Sequence, residues 1–401
     1  RRERALPGEW ELLTAAPTYN PLGRTATFVN EAEIADALTA MAQGDPVATP
    51  EWRQPVATAG VAASAASLHV SGSSRPRALV ICPGRGSYNA TELGSLRRLT
   101  SPELAAGTLA EADARMAAAG LSTLSELDAR KGFVRKVHLE SAHASSLIFS
   151  LAALDYQQRL AEQAAEPAGW EPAGFVGNSL GWYTSAHLSG ALGFGEALEV
   201  VLKTGCYQHE VGELGGQLVY PTMNDEWESD AALEHAVASA LDAANASGFG
   251  ALSVELGGAA VLAADDAGLG AMAAALPKLA RGRVSYPLAL KGHSAFHTHL
   301  MAPMAERLQG TPPFASPALP LVDGAGRVWA AGCDPSPMRQ YTISEQVTTP
   351  YRFGLSLEVA LAELQPDVLV LLGPGRSLGG AIGQTLARVG WHGVRSKADF
   401  A

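Results

Sequence analysis

The sequence predicts one α/β domain interrupted by a β-α-β-β-α-β insertion, and three observations carry that prediction. Short apolar runs end in Pro/Gly turns at RALVICPGRG (77–86) and DVLVLLGPG (367–375), which read as buried strands running into loops. Residues 141–165 have helical apolar spacing with almost no turn formers. Between about 216 and 290, strand and helix patterns alternate in an order of their own.

Taken in order, residues 1–55 contain one helical pattern, EAEIADALTAMAQG, within proline-containing coil. The Ala/Ser/Gly-rich stretch VATAGVAASAASLHVSGSSRP follows and reads as a linker. Residues 1–76 are therefore expected to be an appendage, to which the sequence assigns no function. The domain proper begins with the strand and loop of 77–89. After the helix of 141–165 come a strand at GFVG, a helix over about 181–189 and another over about 195–211. GQLVYPTM then reads as a strand, DAALEHAVASALDAAN as a helix, and GALSVEL and GAAVLAAD as two strands joined through Gly-Gly. AGLGAMAAALPKLA reads as a helix and GRVSYPLAL as a last strand, which completes a ferredoxin-like unit over 216–290. The flanking segments, 77–215 and 291–401, would form the core that it interrupts.

Composition narrows the function. The chain has 401 residues, is 47% hydrophobic and 17% charged, and carries a net charge of −11. That charge disfavours nucleic acid as a general partner. No apolar run approaches the roughly 20 residues that span a bilayer, so a soluble, cytoplasmic protein with no membrane association is expected. Position 1 is Arg, so a fragment or processed form is expected. Cys82, Cys206 and Cys333 are widely spaced, form no C-x-x-C pair and have no adjacent His; they read as buried thiols.

The segment FVGNSLGWYTSAHLSGALGFGEALEVV (175–201) places Ser179 in a G-x-S-x-G turn between a strand and a helix. Such a turn needs glycines flanking the serine, projects its hydroxyl, and aims the next backbone N–H at an oxyanion. Without that context the motif is weak. A serine nucleophile needs a base. Of ten histidines, His187, His209 and His235 lie on predicted helices and read as structural. KGHSAFHTHLMAPMAERL (291–308) instead crowds His293, His297 and His299 before a helix. Their spacing offers no metal-ligand pattern, and no metal is expected. GPGRSLGG lacks the lysine of a P-loop and reads as a turn into the last helix.

GNSLGWYTSAHLSGALGFGEAL resembles the G-H-S-L-G-E-Y segment of malonyl-CoA:acyl-carrier-protein transacylases and polyketide synthase acyltransferase domains. In the same order, VICPGRGSYN resembles their F-P-G-Q-G-S-Q loop, SAFHTHLM their catalytic-histidine segment, EQVTTPYRF their R-Q-L-x-x-P-V-x-W, and LLGPGRSLGGAI their G-P-G-x-x-L. That family also carries a ferredoxin-like insertion between its serine and histidine segments. The resemblance covers about residues 77–391. It implies an α/β-hydrolase-like core with an inserted ferredoxin-like subdomain, Ser179 as nucleophile and His297 as general base and acid. It further implies that the backbone carbonyl of Gln346 orients the histidine, and that the N–H groups of Leu180 and Arg85 form the oxyanion hole. A CoA thioester would be the substrate, the phosphopantetheine thiol of an acyl carrier protein the acceptor, and no cofactor would be bound. Basic residues such as Arg97, Arg98, Arg135 and Lys136 are suited either to facing an acidic carrier protein or, as exposed cations usually do, to keeping the surface solvated.

The chain departs from the family pattern in its pocket. Asn178 replaces the His before the nucleophile, Trp182 replaces a Glu and is expected to pack, and Ser294 replaces another His. Thr204 stands where the family has the Arg that pairs with the malonyl carboxylate. Loss of such a pairing costs roughly 3–5 kcal/mol, and Lys203 lies about 100° further round the helix. Thr204 thus points to a neutral acyl group such as acetyl. Leu180 and Phe296 instead resemble malonyl-selective versions of their motifs, with Phe296 crowding a 2-methyl branch. Arg85 replaces a Gln beside the nucleophile, where its guanidinium would meet a carboxylate, a phosphate or solvent. A small unbranched acyl group, charged or neutral, is the expectation.

Two other functions are compatible with these residues: a proofreading hydrolase of acyl thioesters on the same fold, and a non-catalytic module of a larger synthase. A rival triad of Ser179, Asp367 and His392 follows hydrolase chain order, but the insertion and the SAFHTHLM segment argue against it.

Overall fold

A computed structural model describes residues 75–166, 169–282 and 284–400; the expected appendage falls outside them except for its last two residues. The strands β1 (Arg77–Cys82), β2 (Glu171–Gly177), β9 (Leu321–Val322), β10 (Val328–Trp329) and β12 (Val368–Leu371) form one sheet in the order β10-β9-β2-β1-β12. Pairing is parallel from β9 through β12, with β10 antiparallel at the edge. From Ala78 to Cys82 the inner strand β1 is fully buried. This explains its unbroken apolar run, since a strand covered on both faces has no reason to alternate.

Of the helices that position the site, α1 (Ser141–Ala165), α2 (Gly181–Leu188) and α3 (Phe194–Val211) follow in chain order and pack against one another. The first has the bounds read from the sequence. Further along, α4 (Ala231–Ser247) and α5 (Asp266–Ala275) belong to the insertion, and α6 (Phe353–Leu364) packs on β2 and β9.

The insertion builds a second sheet from β3 (Gly216–Pro221), β4 (Gly250–Glu255), β5 (Ala259–Ala264) and β8 (Leu288–Ala289), in the order β4-β5-β3-β8. All three pairings are antiparallel, and α4 and α5 connect the strands in the ferredoxin-like manner. The fold class expected from the sequence is the one observed: an α/β-hydrolase-like core with a ferredoxin-like subdomain.

Three details differ from the expected elements. The helix over 267–280 ends at Ala275, because Pro277 disfavours helical backbone just before it. The expected last strand is broken at Pro287, which has no N–H to donate to a ladder. Its first part, β7 (Val284–Tyr286), pairs instead with β6 (Leu279–Arg281) in a separate hairpin, and only Leu288–Ala289 joins β3. The third is an addition: β11 (Tyr351–Arg352) lies parallel to β4 at the edge of the second sheet. Two residues are too few to show a period, so this strand leaves no sequence signal.

Strand β11 also ties the two sheets together at the serine turn. The fully buried Tyr351 donates its hydroxyl to the Gly177 carbonyl at 2.6 Å, at the end of β2. Tyr351→Phe should leave that carbonyl buried and unpaired, lowering stability by about 1–3 kcal/mol. Urea unfolding monitored by tryptophan fluorescence would read this as a lower midpoint at unchanged slope.

Candidate active site

At the C-terminal end of β2 the chain reverses sharply into α2. The geometry explains why Gly177 and Gly181 flank the turn. A Cβ on Gly177 would lie 2.2 Å from the Gly181 carbonyl, and one on Gly181 would lie 2.2 Å from the Cys82 carbonyl. No side chain fits either position. Between them Ser179 is held at φ 53°, a left-handed conformation that a non-glycine residue adopts only where surrounding contacts impose it. Gly181 N–H donates to the Asn178 carbonyl and Trp182 N–H to the Ser179 carbonyl, closing the turn.

The raised hydroxyl meets a histidine. Ser179 Oγ lies 2.8 Å from His297 Nε2, and His297 Nδ1 lies 2.7 Å from the backbone carbonyl of Gln346. A carbonyl only accepts, so Nδ1 carries the proton and Nε2 turns its lone pair to the serine. His297 is itself at φ 61° and is almost wholly buried. Burial pushes its pKa from 6.5 to about 4, against the opposing pull of the Gln346 carbonyl. The imidazole is therefore neutral at pH 7.

Gln346 does more than the sequence suggests. Its side-chain Nε2 donates to the Ser179 carbonyl at 3.1 Å, and its Oε1 accepts from the Tyr183 hydroxyl at 2.8 Å. One buried residue thus holds the serine's backbone and the histidine's ring together. Tyr183 was missed by sequence reasoning, although its place four residues after Ser179, on the first turn of α2, was a usable signal.

A cavity of about 200 Å³ opens at this pair. It is lined by Arg85, Asn178, Leu180, Thr204 and Phe296 among the expected residues, together with Ser179, His297 and Gln346. Ser294 is not among the lining residues: its buried hydroxyl accepts from the Leu214 N–H at 3.0 Å, a structural bond. Thr204 directs its hydroxyl to the Val201 carbonyl of its own helix at 2.8 Å. Lys203 pairs with Glu199 at 2.8 Å and does not line the cavity. Asn178 Oδ1 is buried without a hydrogen-bond partner. Trp182 packs as expected, edge-on to Tyr341, with its indole N–H donated to Thr342 Oγ1 at 2.9 Å.

The opposite wall comes from the second sheet. Gln217 and Val219 of β3, Val254 of β4 and Val261 of β5 line the cavity, as do Ser377 and Leu378 from the GPGRSLGG turn. Sequence reasoning did not place these residues in a site. The i, i+2 spacing of Gln217 and Val219 puts both on one face of a strand, but only tertiary packing shows which face is turned to the serine.

The rival triad does not assemble. Asp367 stands just before β12, where its carboxylate accepts from the Arg77 N–H at 2.7 Å. Arg77 begins β1, whereas Ser179 follows the end of the parallel β2. Asp367 and Ser179 are therefore at opposite ends of the parallel strands, roughly 20 Å apart at about 3.3 Å per strand residue.

No protein-family model and no curated protein matches the sequence. Solved structures do resemble the fold. The acyl-carrier-protein S-malonyltransferase of Burkholderia pseudomallei 1710b is similar at 22% identity and a TM-score of 0.61, over 77% of this chain and 93% of that one. A type II PKS acyl-carrier protein in complex with its malonyl-transacylase includes a chain similar at 21% identity and a TM-score of 0.61, over 78% and 93%. The acyltransferase domain from the second module of the salinomycin polyketide synthase is similar at 20% identity and a TM-score of 0.58, over 90% and 74%. At these identities the likeness is one of fold.

The glycine requirement is testable. Gly181→Ala should force the turn apart, costing about 3 kcal/mol or more. A fall in the thermal midpoint of less than a few degrees would show that the turn can relax around a methyl group.

Proposed function

We propose that the chain is an acyltransferase that moves a small unbranched acyl group from a CoA thioester to the phosphopantetheine thiol of an acyl carrier protein. Residues 77–215 and 291–401 would form its catalytic core and 216–290 the subdomain that walls the acyl pocket. The observation that carries this reading is the hydrogen-bonded chain Ser179 Oγ, His297 Nε2, His297 Nδ1 and Gln346 carbonyl, at 2.8 and 2.7 Å, opening into the cavity described above. The fold likeness to malonyltransferases and a polyketide synthase acyltransferase domain adds support.

The chemistry runs in two halves. His297 Nε2 takes the Ser179 proton as Oγ bonds to the thioester carbonyl carbon. The negative charge on the carbonyl oxygen is met by the N–H groups of Leu180, at the start of α2, and Arg85, on the loop after β1. The C–S bond then breaks, and the imidazolium returns its proton to the departing CoA sulfur. In the second half the carrier-protein thiol attacks the acyl-serine, with His297 again as base and then as acid to Ser179 Oγ. Exposed Arg97, Arg135 and Lys136 are available to an acidic carrier protein.

Intact-protein mass spectrometry after brief mixing with acyl-CoA should show an adduct that Ser179→Ala abolishes. His297→Ala should slow its formation by roughly 10²–10⁴-fold. Added holo carrier protein should discharge the adduct as acyl carrier protein; free acid as the sole product would make the enzyme a thioester hydrolase.

The pH dependence follows from the buried histidine. His297 must be neutral to accept the serine proton, so activity is lost as pH falls through its pKa. The acid limb of adduct formation should lie near 4 rather than at the ordinary 6.5. A limb above pH 6 would show that another group controls the step.

A further inference from the structure

The walls of the acyl cavity carry an uncompensated positive charge. Among the described residues, Arg85 is the only Lys or Arg that lines the cavity, and no Asp or Glu lines it. Its guanidinium is held by neutral acceptors alone: Nη1 donates to Gln208 Oε1 and Nη2 to the Gly292 carbonyl, both at 3.1 Å. No carboxylate lies within ion-pair distance of it among the described residues, and Glu140 and Glu213 act on it only from further away.

The second histidine of the cavity adds no charge to this count. Phe296 offers only a carbonyl, so Ser253 donates its hydroxyl there at 2.9 Å. Ser253 Oγ then accepts from Gln217 Nε2 at 2.6 Å, which turns Gln217 Oε1 toward His293 Nδ1 at 3.1 Å. That directional chain requires a proton on Nδ1, which a neutral imidazole supplies. Burial, and secondly the charge of Arg85, hold the His293 pKa well below 6.5. With His297 neutral as well, the lining has a net charge of +1. A partly buried guanidinium without a close counter-ion is costly unless an anion completes it.

We infer that the acyl group carries a terminal carboxylate and that the Arg85 guanidinium, on the loop beside the nucleophile, is the residue that selects it. The inference rests on the acyl-enzyme reading above and narrows its substrate class. Arg85 is suited to the role because Gln208 and Gly292 already restrict its side chain and leave further N–H donors on the planar fork. Thr204, one turn before Gln208 on the same helix, spends its hydroxyl proton on that helix and offers no charge.

The test compares initial rates of Ser179 acylation by malonyl-CoA, its terminal methyl ester and acetyl-CoA, read by intact-protein mass spectrometry. The wild-type chain should favour malonyl-CoA over both neutral thioesters by roughly 100-fold, as a lost buried ion pair implies. Arg85→Gln should reduce that preference to within about 5-fold, and Arg85→Lys should retain part of it. Equal wild-type rates with malonyl-CoA and its methyl ester would overturn the assignment without recourse to any variant. So would an Arg85→Gln variant that slows all three thioesters in parallel, the signature of a merely structural residue. An acetyl adduct with no malonyl preference would leave the acyl-enzyme reading standing and remove this one. No adduct from any thioester would remove both.

Discussion

The site depends on one close approach, that of Gly181 to the Cys82 carbonyl at the end of β1. With a Cβ excluded there and at Gly177, the chain can turn from β2 into α2 within a few residues, and Ser179 is left in the left-handed region. That conformation costs of order 1–3 kcal/mol for a non-glycine residue. Tyr351 and Gln346 supply bonds that hold it: the Tyr351 hydroxyl on the Gly177 carbonyl and the Gln346 amide on the Ser179 carbonyl. Backbone strain at the serine is thus offset by side chains more than 160 positions away in sequence.

The same residues organise the base. Gln346 fixes the tautomer of His297 through its main-chain carbonyl and steadies the serine through its side chain, while Tyr183 orients the amide. A backbone carbonyl in place of a carboxylate introduces no negative charge into the buried site. It therefore does little to offset the desolvation that lowers the histidine's pKa. The imidazole stays neutral and ready to accept a proton at physiological pH. Its low basicity also means that it gives the proton back readily, as a group acting first as base and then as acid must.

Charge in the cavity follows from how the two sheets enclose it. The second sheet contributes an apolar wall of valines interrupted by Gln217, which sets the tautomer of His293 by hydrogen-bond direction, while burial keeps the ring neutral. Arg85 is left as the only charged lining group among the described residues. Thr204 supplies no charge from its helix, and the positive charge belongs instead to Arg85, whose backbone lies on the loop after β1. Specificity in such a pocket depends on where the charge lies relative to the serine, which composition cannot reveal.

Much was legible from the chain alone. The apolar strand 77–82, the helix of 141–165 and the insertion's element order were all marked by periodicity or unbroken hydrophobic runs, because burial on one face or two imposes those patterns. The G-x-S-x-G turn was legible because steric exclusion at two glycines leaves a fixed spacing. Less visible were the break at Pro287 within an apolar run and the two-residue strand Tyr351–Arg352, which is defined by its partner β4 rather than by any pattern of its own. Local sequence therefore determined the secondary structure, the turn and the chemical types available, since these depend on neighbours along the chain. Only the tertiary structure decided that Ser294 bonds to backbone and not to the cavity, that Asp367 stands at the opposite end of the strands from Ser179, and that Gln346 and Tyr183 brace Ser179. Those outcomes depend on contacts between segments far apart in sequence, whose relative placement is set by how the two sheets pack.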